Sequence, residues 1–140
     1  MALSKPFETR SEHVTVYVGL RFYEVSLKDA TDQKNIDFEQ LKQMVDEFLE
    51  GGFTYFDTSF AYHYGTSESA LKRVLVDRHP RDSYSIVTKF PTFAVQTEDE
   101  VEPIFAQQLT NLGVDYVDRY LLHTSSTPSS TTAWTARAVW

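Results

Sequence analysis

Apolar residues fall along this chain in two alternating rhythms. Between Asp37 and Glu50, Phe38, Leu41, Val45, Phe48 and Leu49 recur at helical spacing and make one apolar stripe. Asp37 and Gln40 stand where a capping box opens a helix, and Gly51 fits the left-handed position that closes one. Phe53 to Asp57 follows at once and reads as a strand covered on both faces. The pattern then repeats. Ser67 to Arg78 is predicted to be helical, with Ala70, Leu71, Val74 and Leu75 turned inward and Pro80 as its stop. Tyr84 to Lys89 is a second strand, and Phe90-Pro91-Thr92-Phe93 is a turn-forming loop. Thr97 and Glu100 repeat the capping-box pattern. Pro103 suits the first turn of a helix beginning near Glu102. Ile104, Phe105, Leu109 and Leu112 would be that helix's buried stripe, Gly113 its stop, and Tyr116 to His123 the last strand.

Strands alternating with helices in this way predict parallel βα units. Parallel strands so joined point their C-terminal ends the same way. Asp57, Lys89 and His123, each at the end of a predicted strand, are therefore expected on one side of one sheet. Tyr62 follows the first of these strands, in a loop with Phe60 and Tyr64.

The two ends of the chain read differently. Residues 1–12 are mixed polar and expected to be disordered. His13 to Leu27 is β-rich, with Val14, Val16 and Val18 alternating, and Gly19 marks a bend or a bulge, so a first strand or a hairpin belongs here. Ser125 to Thr132 has the composition of a low-complexity linker, and no helix is convincing after it. The chain thus divides into 1–12, a core of 13–123, and a tail of 124–140. The net charge of −7 argues against a nucleic-acid partner. The absence of cysteine excludes disulfides and thiolate metal sites. His13, His63 and His79 have no ligand spacing, so no metal is expected. No apolar run approaches the ~20 residues of a membrane span, and the first residues carry no signal-peptide pattern. A cytoplasmic location is the expectation.

Gly52-Phe53-Thr54-Tyr55-Phe56-Asp57-Thr58-Ser59, then Tyr62, Ser67-Glu68, Thr88-Lys89, and Leu112-Gly113-Val114-Asp115-Tyr116 on to Leu121-Leu122-His123 resemble the aldo-keto reductases, over about residues 36–123. The first strand and the tail do not match: where that family has a glycine-rich strand end, Gly19 stands alone. The resemblance implies an α/β fold, part of a (β/α)8 TIM barrel, roughly its first four strands and three helices. It implies NADPH-dependent reduction of a small-molecule carbonyl. The family's tetrad falls on Asp57, Tyr62, Lys89 and His123. Carbonyl reduction leaves negative charge on oxygen, which a donor must stabilise and protonate. Tyr62 would be that acid, Lys89 the ammonium that favours its phenolate, Asp57 the ion-pair partner of Lys89, and His123 the hydrogen-bonding residue that orients the carbonyl. Asp57 and Lys89 would also touch the nicotinamide side of the cofactor. Glu68 matches a family position, where an acid in a first helical turn favours the dipole. Arg119 shares parity with His123 and is expected inside the barrel, where a charge needs a partner.

A complete barrel needs about 250 residues, and the chain has 140. The segments with which the family grips the cofactor's phosphates follow later strands. Weak NADPH binding is therefore expected, together with self-association through open sheet edges. Two other readings stay open: a truncated, non-catalytic relic of a reductase, and a cofactor-sensing or regulatory subunit.

Overall fold

The structure, a computed structural model, describes residues 19–23, 27–29, 31–32 and 34–123. The expectations for residues 1–12, for the β-rich residues 13–18 and for the tail 124–140 lie outside the described residues. Four strands form one parallel sheet in chain order: β1 (Gly19–Arg21), β2 (Tyr55–Asp57), β3 (Ser85–Pro91) and β4 (Arg119–His123). Three helices connect them: α1 (Phe38–Glu50), α2 (Ser67–Leu71) and α3 (Val101–Leu112). This is a partial TIM-type barrel of four strands and three helices among the described residues.

The register sorts the side chains into two faces. Leu20, Phe56 and Ile86 stand in one row across β1, β2 and β3 and are buried. They pack with Leu41, Val45 and Phe48 of α1, Ala70 and Leu71 of α2, and Leu112 of α3. Because successive strand residues point to opposite faces, Asp57, Lys89 and His123 stand on the other side, the inner face of the barrel.

Local chemistry sets the helix ends. Asp37 caps α1, its Oδ1 accepting from the Glu39 and Gln40 amides at 3.2 Å. Gly51 differs from its predicted role. It keeps a helical φ of −68°, its amide still donating to Glu47, and Gly52 takes the left-handed φ of 81°. The chain completes one more hydrogen bond before it turns. Gly113 does adopt the left-handed conformation, with φ 68°. Thr97 and Glu100 form the capping box, but around a short 3-10 turn (Glu98–Glu100) that runs straight into Val101.

Other expectations are corrected by packing. The predicted helix Ser67–Arg78 is α-helical only to Leu71. It then widens into a π turn over Lys72–Val76, the Asp77 amide donating to the Lys72 carbonyl. Leu71 at the end of α2 and Val74 and Leu75 in the widened segment all reach the core. In α3, Ile104, Phe105 and Leu109 are only half-buried, and Gln108 shares the buried stripe with Leu112. Gly19 marks neither bend nor bulge. It lies in register with Tyr55, and a Cβ there would come within 2.6 Å of the Tyr55 ring. Arg119 is on the inner face but exposed, its guanidinium 5.9 Å from the Tyr55 ring centroid.

A side chain at Gly113 would meet left-handed strain and the Lys72 aliphatic chain 2.5 Å away. Lys72 can swing aside, so the backbone term decides. Gly113→Ala is expected to lower the unfolding free energy by about 1–2 kcal/mol, measured by urea denaturation. An unchanged midpoint would contradict the left-handed turn.

Candidate active site

The parallel register brings the C-terminal ends of β2, β3 and β4 together. Asp57 pairs with Val87, Lys89 with Leu121, and Pro91 with His123. From β3, Lys89 crosses to the end of β2. Its Nζ donates to Asp57 Oδ1 at 2.6 Å and to the Thr58 carbonyl at 2.9 Å. The ion pair is nearly enclosed, its side chains 14% and 13% exposed. Burial makes each charge depend on the other, since an unpaired ion there would be poorly solvated. Arg21, at the end of β1, adds a second and looser cation, with Nε 3.7 Å from Asp57 Oδ1.

Tyr62 enters from the loop after β2. The loop is anchored behind the site: the Thr58 and Ser67 hydroxyls share a 2.8 Å hydrogen bond, and Ser67 donates to the Phe22 carbonyl at 3.3 Å. It then turns sharply through His63, Tyr64 and Gly65, all left-handed, with φ of 51°, 54° and 84°. For the first two this conformation costs about 1–2 kcal/mol each. The turn leaves the Tyr62 ring between three neighbours. Lys89 Nζ is 4.7 Å from its centroid, the His123 ring meets it edge-on at 5.6 Å, and the Tyr23 ring meets it edge-on at 5.1 Å.

His123 closes the group. Its Nδ1 shares a 2.8 Å hydrogen bond with Ser59 Oγ. Thr92 Oγ1 donates to its backbone carbonyl at 2.6 Å, tying the end of β4 to the loop after β3. Burial, and then the Lys89 ammonium, hold its imidazole below the ordinary 6.5, against an opposing pull from Asp57. The neutral ring, a hydrogen-bonding group, is thereby favoured over the imidazolium.

All four residues singled out in the sequence, Asp57, Tyr62, Lys89 and His123, thus lie in one group. The sequence reading missed the residues that hold them. Ser59 stood within the matched run Asp57-Thr58-Ser59, and only its position across from His123 gives it a task. Phe93 lay in the predicted turn and Tyr23 beside the first strand, with nothing to mark either. Both rings are more than half exposed, and Phe93 meets His123 edge-on at 5.7 Å. Glu68 lies in the first turn of α2, yet its carboxyl is turned into the protein rather than left at the helix end.

The sequence model of the Aldo/keto reductase family matches residues 26–135. No curated protein matches the chain. Among solved structures, an aldo-keto reductase from Klebsiella pneumoniae in complex with NADPH aligns with a TM-score of 0.60 and 24% identity, over 75% of this chain and 34% of that one. The thermostable aldo-keto reductase Tm1743, in complex with the inhibitor epalrestat, aligns with a TM-score of 0.60 and 23% identity, over 88% and 43%. MGS-M4, an aldo-keto reductase from a Medee basin deep-sea metagenome library, aligns with a TM-score of 0.54 and 25% identity, over 79% and 35%. The chain spans between a third and under half of the length of these relatives.

The enclosed ion pair makes a quantitative prediction. Lys89→Met leaves Asp57 with only the exposed Arg21 as a nearby cation, and Asp57→Asn leaves the ammonium with neutral acceptors and no counter-charge. The summed losses of the two single variants should exceed that of the double variant by about 0.5–3 kcal/mol. A double-mutant cycle in urea measures this, and strict additivity would reject the pairing.

Proposed function

The chain belongs to the aldo/keto reductase family, and on that premise we propose that it reduces a small-molecule carbonyl with NADPH, with Tyr62 as proton donor. The observation that supports this most is the Lys89 ammonium, held by Asp57 and lying over the Tyr62 ring. When bound, the cofactor supplies a hydride to the carbonyl carbon. The chain's own residues would manage the charge that then develops on oxygen. A tyrosine hydroxyl, with an ordinary pKa of ~10, becomes a useful acid beside a cation that favours its phenolate. Lys89 would play that part, and Asp57 would keep its ammonium in position. Ser59 engages Nδ1 of His123, so Nε2 is the ring nitrogen that would orient the carbonyl oxygen. The aromatic rings of Tyr23 and Phe93 flank Tyr62 and His123 and would limit the access of water.

The described residues suit one end of the cofactor. Asp57 ends β2 and Lys89 lies two residues before the end of β3, both on the inner face, where they would meet the nicotinamide side. The grip on the phosphates would have to come from elsewhere, so the proposed binding to this chain alone is weak. A cytoplasmic setting stays part of the proposal as its default.

The inner face and the β4 edge also support self-association. Leu121 on the inner face is 42% exposed, Leu122 is 50% and Tyr116 is 53%. Apolar surface left in water forfeits about 25 cal/mol per Å² of burial, and outer strands offer backbone groups for pairing. Sedimentation at micromolar concentration is expected to find oligomers or aggregates. A sharp monomer boundary with cooperative unfolding and micromolar NADPH affinity would overturn both the weak binding and the association.

The catalytic reading is tested at Tyr62. Tyr62→Phe removes the hydroxyl and spares the ring contacts with Tyr23 and His123. Turnover of an aldehyde with NADPH is expected to fall about a hundredfold or more, and near-unchanged turnover would end the assignment. Following NADPH fluorescence in a titration separates the other readings. Tight binding without turnover would favour a cofactor-sensing subunit, and no binding at all a non-catalytic relic.

A further inference from the structure

Glu68 is the most deeply buried ionisable side chain among the described residues, 1% exposed, and the chemistry proposed above does not use it. Its carboxyl receives three side-chain donors. Thr88 Oγ1 donates to Oε1 at 2.7 Å, Gln108 Nε2 to Oε1 at 2.8 Å, and Asn111 Nδ2 to Oε2 at 3.0 Å. None of these partners is a cation. Burial accordingly pushes the carboxyl above its ordinary 4.5, against the hydrogen bonds of Asn111, Thr88 and Gln108. Gln108 is itself fully buried and is held from both ends. Its Oε1 accepts from the Tyr120 hydroxyl at 2.5 Å, and its Nε2 also reaches Thr88 Oγ1 and the Lys89 carbonyl, both at 3.2 Å.

The network therefore grips two consecutive residues of β3 from the helix side. Thr88 is held through its side chain and Lys89 through its main-chain carbonyl. On the opposite face, the Lys89 side chain makes the pair with Asp57. An apolar cluster of the same volume would fill this space at less cost than a carboxyl that must be desolvated. What a fully satisfied polar network supplies instead is a single arrangement.

We propose that Glu68 is a positioning residue: through Thr88 and Gln108 it fixes the β3 main chain at Lys89, and so sets the reach of the Lys89 ammonium to Asp57 and Tyr62. This rests on Lys89 being a working member of the site, which Tyr62→Phe tests separately. A displacement of about an ångström at such a group can cost up to a hundredfold in rate.

The test follows the Lys89 side chain by NMR in the full chain with isotopically labelled lysine, its signal assigned by Lys89→Arg. Glu68→Gln places an amide donor against donors already present. It is expected to shift the Lys89 signal toward that of a solvent-exposed lysine. Where wild-type turnover is measurable, kcat should fall about tenfold or more with little change in substrate KM. Thr88→Val, close in shape but lacking the hydroxyl, should shift the same signal in the same direction, and Thr88→Ser, which keeps the donor, should restore it. If Glu68→Gln does not fold, the Thr88 pair decides alone. Folded variants that lose only stability and keep the wild-type Lys89 signal would overturn the proposal and leave Glu68 a packing residue. The signal does not depend on turnover, so a failure of the reductase reading leaves this outcome legible.

Discussion

A lysine that turns its charge inward must be met, and here the meeting point lies on another strand. Lys89 leaves β3 and ends against Asp57 and the Thr58 carbonyl at the end of β2, with little water in reach. That single crossing can be made only if β2 and β3 run parallel, in the register that sets Asp57 beside Val87. Everything else in the site is arranged around it. The loop after β2 must bend back to bring Tyr62 under the ammonium, and β4 must end where His123 can face the same ring. The helices supply the apolar cover that keeps the sheet in register, and α3 also holds the Lys89 carbonyl through the Gln108 amide.

The bend after β2 is the least comfortable part of the described residues. Two side-chain-bearing residues in succession, His63 and Tyr64, adopt left-handed backbone before Gly65. Such strain survives only where the surroundings over-determine it. The Thr58–Ser67 hydrogen bond at one end and the start of α2 at the other leave the loop few alternatives. The result is a tyrosine held by its neighbours on three sides rather than swinging on an open loop.

Much of this architecture is legible in the sequence because it is written in local chemistry. Asp37, Gly113 and the Thr97–Glu100 pair declare helix ends through hydrogen bonds made within a few residues. The strand endings at Asp57 and His123 follow from the alternation of apolar runs. What the sequence hides is set by contacts between distant segments. Parity alone puts Arg119 on the inner face, but nothing in parity says how much of that face is covered, and it is exposed. Gln108 occupies the stripe between Ile104 and Leu112 at perfect helical spacing, and an apolar pattern passes over a glutamine. Glu68 resembles an ordinary first-turn acid until the amides of Gln108 and Asn111 are brought to it from 40 and 43 residues away. Gly19 has no local explanation, because the ring that forbids a side chain there belongs to Tyr55.

Along β3 the two faces carry different work on alternate residues: Ile86, Thr88 and Phe90 toward the helices, Val87, Lys89 and Pro91 toward the inner face. A strand written this way behaves differently under substitution and under insertion. Single replacements stay on the face where they occur, so the apolar positions Ile86 and Phe90 can drift while the inner face keeps its chemistry. An added or lost residue exchanges the faces from that point onward. It would drive the Lys89 ammonium among the donors around Glu68 and present Thr88 to Asp57. The history of this segment should accordingly hold many exchanges of residues and almost no change in its length.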